Sequence, residues 1–206
     1  MTQQFNFGDL SLSLINQVER ARQHIYPRFA QSVFLQYKSI LNKFTAHQFL
    51  VNGNLFLPGL SINHSLVINA SYQGRDTLQQ YNFSNNFPFS RGYSSVNLPR
   101  MWKIGFNYHF PITYPDWGFG NILYFLRLRG NIFYDATKAK SLRSGTIFLF
   151  RTAGAELYFD TKWWNQLPVS FGLRYSHLMD PDFSGRSSHQ WEFILPLTLL
   201  SRNQHR

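Results

Sequence analysis

The residues best equipped for chemistry in this 206-residue chain are arginines and a few acids set among apolar, strand-like runs. Arg91 stands in "FPFSRGY" (87–93), followed by Gly92 and Tyr93. Arg127 and Arg129 stand in "NILYFLRLRGNIFYD" (121–135), which ends on Phe133, Tyr134 and Asp135. Glu156 lies in "AGAELYF" (153–159) and Asn107 in "MWKIGFNYHF" (101–110). A guanidinium presents a planar fork of donors to a carboxylate, so these residues point to ion pairing and not to bond-breaking. Enzymatic patterns are missing. The seven histidines show no HExxH or His-x-His spacing. No serine and histidine are joined by a nucleophile motif. His64, His109 and His177 read as interior or interface residues, and "DPD" (180–182) as a plain turn rather than a calcium loop. With no cysteine there is no disulfide framework and no thiolate metal site. The expectation is no enzyme, no cofactor and no metal.

The elements that must carry these residues are strands. In 121–135, Tyr124, Leu126, Leu128, Ile132 and Tyr134 alternate with Arg127, Arg129, Asn131, Phe133 and Asp135. Successive strand side chains point to opposite faces, so one face is greasy and the other charged. The same period of two recurs. Trp102, Ile104, Phe106, Tyr108 and Phe110 oppose Lys103, Gly105, Asn107 and His109. Val169, Phe171, Leu173 and Tyr175 oppose Ser170, Gly172, Arg174 and Ser176. Trp191, Phe193, Leu195, Leu197 and Leu199 oppose Glu192, Ile194, Pro196 and Thr198. Segments 32–38, 47–57 and 65–73 are strand-like with less order. Eight strands are expected between about 29 and 199, with a weaker one in 6–16. The one helix-like stretch, 16–25, reads equally as a loop.

Connections at 57–60, 111–121 and 160–166 lie at one end and alternate with a second set at 42–46, 74–95, 136–145 and 180–188 that is mostly longer and polar. Trp117, Trp163 and Trp164 fall at the short-turn end. No apolar run reaches the ~18–20 residues of a membrane helix. The first twenty residues lack the basic and apolar regions of a signal peptide. The polar faces hold isolated Arg and Glu among Gly, Ser, Asn and Thr, and only 15% of residues are charged, low for a soluble surface. Strands of membrane-spanning length, short turns at one end and long loops at the other are the habit of outer-membrane barrels. The expected fold class is therefore an all-β antiparallel transmembrane barrel of eight or nine strands, with the leucines toward lipid and the arginines toward the lumen. Its expected bounds are an N-terminal segment 1–28, a barrel domain 29–200 and a tail 201–206.

The longest loop, carrying Arg91-Gly92-Tyr93, is followed by five strands, the second of which ends in Phe133-Tyr134-Asp135. This resembles the C-terminal barrel of the bacterial surface-antigen family, which includes the BamA and TamA assembly factors and the two-partner secretion transporters. In that family an Arg-Gly-Phe/Tyr loop tip folds into the barrel, and its arginine pairs with acids of the lumen wall, one of them in a Phe-x-Asp. The resemblance covers about 29–200 and is specific mainly at 87–135. It implies an Arg91–Asp135 contact; the alternative is that Asp135 pairs only with Arg127, Arg129 or Lys138. The chain departs from the pattern at Asn107, where the family often has an acid, and Glu156 is the expected substitute. It also departs at the last strand, which lacks the usual terminal aromatic. The family barrel has sixteen strands, so the chain reads as the C-terminal half of one or as a reduced relative.

The implied function is assistance to insertion or translocation of polypeptides at the outer membrane of a Gram-negative bacterium. The implied partners are outer-membrane lipid, client polypeptides or other assembly subunits. A passive pore or structural anchor is the second reading. The net charge of +10 supports a third, a soluble nucleic-acid-binding β-protein. Against it, the basic residues are spread singly over many strands, so no nucleic acid is expected.

Overall fold

A computed structural model describes residues 6–18, 25–41, 46–76, 83–142, 144–164, 166–181 and 187–195. Among them the chain forms one antiparallel sheet of ten strands. In chain order these are β1 (Phe7–Gln17), β2 (Ala30–Ile40), β3 (His47–Pro58), β4 (Ser65–Arg75), β5 (Arg100–Thr113), β6 (Trp117–Phe119), β7 (Leu123–Lys140), β8 (Ile147–Trp163), β9 (Leu167–Leu178) and β10 (His189–Ile194). Each pairs with the next as a meander, except that three-residue β6 sits off the path beside β7. β1 occupies the segment where a weaker strand is expected. Of the helix-like stretch, Asn16 and Gln17 belong to β1, and 19–24 lie outside the described residues.

The pairing register turns each strand's alternation into rows that cross the sheet. On one face Leu66, Tyr108, Ile132, Ala155, Tyr175 and Trp191 lie side by side, as do Ile68, Phe106, Tyr134 and Ala153. This face stays uncovered: Ile104, Phe106, Ile132, Leu173, Trp191 and Phe193 are all exposed. The opposite face carries Ser65, His109, Asn131, Glu156, Arg174 and Glu192 in one row. Most of those polar residues are buried. The usual arrangement, apolar in and polar out, is inverted.

What buries the polar face is the connection 83–99 between β4 and β5. It touches β2 through Lys38 and Ser84, β5 through Lys103 and Phe89, and β7 and β8 through Ser90 with Thr137 and the Phe150 carbonyl. One segment can reach strands so far apart along the path only if the sheet curls around it. Toward the end with the longer connections the inner face is apolar: Phe87 and Tyr93 of the loop pack with Leu50, Met101, Phe150 and Leu178.

One expectation is corrected. β7 and β8 extend well into segments expected to be connections, reaching Lys140 and Trp163. Alternation simply continues there in small and polar side chains, which carry no hydrophobic signal. The sheet also remains open among the described residues, with β1 and β10 as its two edges. The continuation of the last strand through 196–199 lies outside the described residues.

Candidate functional site: the loop tip on the inner wall

The tip is a tight turn. Gly92 has φ of 82°, a left-handed conformation that glycine adopts without steric cost. A Cβ there would also come within 2.8 Å of Leu178 and 3.1 Å of Ser176. The turn is fixed on either side. Thr152 Oγ1 donates to the Arg91 carbonyl at 2.8 Å, and the Tyr93 hydroxyl donates to the Arg151 carbonyl at 3.0 Å. That hydroxyl also accepts the Asp180 N–H at 3.0 Å, so Tyr93 links β8 to the connection after β9.

Arg91 is thereby aimed into the polar wall. Its Nε donates to Asp135 Oδ2 at 2.8 Å and its Nη2 to Oδ1 at 3.0 Å, a bidentate pair. The Arg91 backbone N–H donates to the same carboxylate at 3.2 Å. Nη1 reaches Glu156 Oε1 at 3.1 Å, and Nη2 also reaches Asn107 Oδ1 at 2.7 Å. The guanidinium lies 3.6 Å from the centre of the Phe133 ring. Glycines opposite these side chains make the room: Gly105 faces Asp135 in register, and Gly154 faces Phe133. A Cβ on Gly105 would sit 2.6 Å from Asp135 Oδ1, and one on Gly154 2.7 Å from the Phe133 ring.

The sequence-identified residues Arg91, Gly92, Tyr93, Asn107, Asp135 and Glu156 therefore meet at one place. Asn107 fills the position where an acid was lacking by offering its carbonyl oxygen, and Glu156 supplies the second carboxylate. Arg127 and Arg129 do not join them, and Asp135 pairs with Arg91 and Lys103 instead. Arg127 donates to Asp160 at 2.7 Å and Arg129 at 3.1 Å, with Ser170 a third donor at 2.7 Å. This second cluster lies nearer the short-turn end. The reason is distance along β7: the unbroken hairpin register that sets Asn131 opposite Glu156 also sets Arg127 opposite Asp160, away from the tip.

Sequence reasoning left out several contributors. Lys103 Nζ is 3.5 Å from Asp135. Asn131 donates to Glu156 at 2.7 Å and to Asn107 at 3.2 Å. Arg174 bridges Glu156 at 2.6 Å and Glu192 at 2.7 Å. Asn107 in turn donates to Asn69 at 2.7 Å, and Asn69 to Asn54. The signal that finds them is position: each is an inward residue of its strand at the level of the tip. Asp160 was assigned to a turn and so went unnoticed. Around Arg91, three cations (Arg91, Lys103, Arg174) meet three acids (Asp135, Glu156, Glu192), so the network is electrically balanced. Such a set holds a loop in place, since its donors and carboxylates are engaged with one another. Among the described residues, no group of three His, Cys, Asp or Glu is placed to hold a metal ion.

No family model matches the chain, and no curated protein or solved structure matches it.

Proposed function

We propose that this chain forms wall and plug of an outer-membrane β-barrel of the surface-antigen type, in a Gram-negative bacterium, and assists insertion or translocation of polypeptides. The observation that carries the reading is the Arg91 clamp. The loop tip, the Phe-x-Asp acid and the substitute acceptors Asn107 and Glu156 are the residues singled out by the resemblance, and they are in mutual contact. The exposed apolar rows support the membrane half of the proposal, because a water-facing wall has no reason to present Ile104, Phe106, Ile132 and Phe193 on one uncovered face. Trp117, Trp163 and Trp164 at the short connections fit an interfacial aromatic girdle.

The experiment is fractionation of the source membranes with alkaline washing, followed by electrophoresis of heated and unheated samples. A washed-membrane band whose mobility shifts on heating supports the barrel. A soluble, unshifted band removes it. For the translocation half, the Arg91→Ala chain should insert into membranes yet lose the ability to support assembly of other outer-membrane proteins in its host. Unchanged assembly would retire that half.

A passive pore remains the second reading, favoured by one feature: the cluster toward the short-turn end has two arginines on the single carboxylate of Asp160. A basic constriction favours anions. Planar-bilayer recording should then give steady anion-selective conductance from the wild-type chain, where a plugged wall gives little.

A further inference from the structure

On β5 to β10 the outward cations gather at the end with the longer connections. Arg100 at the start of β5 lies opposite Lys140 at the end of β7, with Lys138 beside them on the same strand. Arg151 on β8 is the diagonal neighbour of Lys138 on one side and of His177 on the other, a spacing of roughly 7–8 Å. His177 in turn faces His189 of β10, their rings 5.0 Å apart. Resting on the outer-membrane reading above, we propose that this face is a site for one anionic, phosphate-bearing lipid, its phosphate on Lys138, Arg151, His177 and His189 and an acyl chain along β8.

Three observations carry this. First, the stripe is short of counter-charge. No ion pair among the described residues engages Arg100, Lys138 or Lys140. Arg151 holds Asp180 with Nε and Nη2, and its Nη1 has no partner among the described residues. The Tyr175 hydroxyl bonds His189 Nδ1 at 2.6 Å and so fixes that exposed ring. Beyond the Asp160 cluster, the described residues at the opposite end of these strands carry Asp116 and Lys162, one charge of each sign, so the basic bias belongs to one rim. Basic side chains at the membrane surface attract anionic headgroups. Second, the stripe heads an apolar groove. Below Arg151 the outward residues of β8 are Ala153 and Ala155, small side chains set between Tyr134 and Ile132 of β7 and His177 and Tyr175 of β9. The groove measures about 550 Å³ and is lined by Phe110, Ile132, Leu157, Leu173, Tyr175 and Trp191. Third, its depth fits one leaflet. Arg151 to Leu157 is about 20 Å of strand, or about 14 Å of depth at a tilt of ~45°, against ~15 Å of hydrocarbon in one leaflet. Trp102 and Tyr134 stand level with the cations, and Tyr175 and Trp191 just below them, where aromatic rings meet headgroups.

The test uses the full chain expressed in the outer membrane of a Gram-negative host and extracted into dodecyl maltoside. It is titrated with dimyristoylphosphatidylglycerol or with dimyristoylphosphatidylcholine, and native mass spectrometry counts the lipid retained. The expected result is one phosphatidylglycerol per chain, half-saturating at a concentration about tenfold below phosphatidylcholine. Lys138→Gln with His189→Gln, both at exposed positions, should remove that preference and leave phosphatidylcholine unchanged. Ala155→Leu should fill the groove and weaken both lipids alike. Lys162→Gln, at the other end, should change neither. Equal retention of the two lipids by the wild type overturns the proposal. So does a preference that survives the double variant, or uptake of phosphatidylglycerol that climbs past one without a plateau. Unweakened binding in Ala155→Leu overturns the groove, and displacement by inorganic phosphate means a free-anion site and overturns the lipid. Each of these leaves the membrane reading intact. Release of the chain by alkaline washing instead removes that reading and the proposal with it.

Discussion

At the scale of single residues, Arg91 is the keystone because it replaces what water would have supplied to two buried acids. Removing it leaves Asp135 and Glu156 facing each other's neighbours with their main counter-charge gone. Arg91→Ala should therefore cost about 3–5 kcal/mol, the usual penalty for orphaning a buried charge. The measurement is the temperature at which the unheated electrophoretic form is lost, which should fall. Protease should also cut within 83–99 sooner. Arg91→Lys should recover only part of the loss, since an ammonium cannot make the bidentate pair with Asp135. Equal rescue by lysine would show that charge alone matters. Gly92→Ala tests the turn by a different route. It forces a side chain into φ of 82° and against Leu178, at a cost of about 1–3 kcal/mol. The loop should loosen while Arg91 itself is untouched.

At the scale of elements, the rim latch makes a pH prediction. Arg151 Nε and Nη2 hold the Asp180 carboxylate at 3.0 and 2.8 Å. These hydrogen bonds pull the Asp180 carboxyl below its ordinary range. The folded value lies under the unfolded one, ~3.9 for a free aspartate. The latch thus contributes fully above that pH and is lost as pH falls through the folded value. A fluorophore on the loop at Ser94 should keep a constant anisotropy from neutral pH down to the carboxylate range and become mobile only below it. In Asp180→Asn that transition should vanish. Strands are also where the limits of sequence reading show most clearly. The alternation of Trp102 through Phe110 set the inner and outer faces of β5 correctly, and the same rule put Asp135 on the inner wall. It failed where side chains carry no contrast. Ala136 to Lys140 looked like a loop yet continue β7, and Asp160 looked like a turn residue yet anchors Arg127 and Arg129 from within β8. Which acid those arginines meet follows from the β7/β8 hairpin register, and that cannot be counted while the ends of both strands read as connections.

At the scale of the whole molecule, the inverted sheet makes opposite demands on the two faces. Ile132 is 57% exposed on the outer face. In a bilayer, Ile132→Arg should cost about 2–4 kcal/mol, the midplane penalty for a cation on a barrel's lipid face. In a water-facing protein the same change would be close to neutral. Unfolding titrations in detergent or lipid, read by tryptophan fluorescence, separate the two. The sequence made this inversion legible through its low charge and its apolar rows. It could not show the open edges, because the number and direction of strands emerge only when pairing is counted around the sheet.

The long reach of the plug also imposes an order in time. Apart from β4 and β5, neighbouring strands of the meander meet across connections far shorter than the spans of the loop's contacts: Arg91 meets Glu156 from 65 positions away and Tyr93 meets Asp180 from 87. Contacts between distant parts of a chain wait on those between near ones, because closing a longer loop costs more entropy. Hairpins should therefore register first, and the loop should seat only after β7, β8 and β9 are in place. Until it does, nothing fixes the curvature of the wall. The seated loop is then a late folding checkpoint, and slowing its docking should prolong the lifetime of a paired sheet whose loop is still undocked.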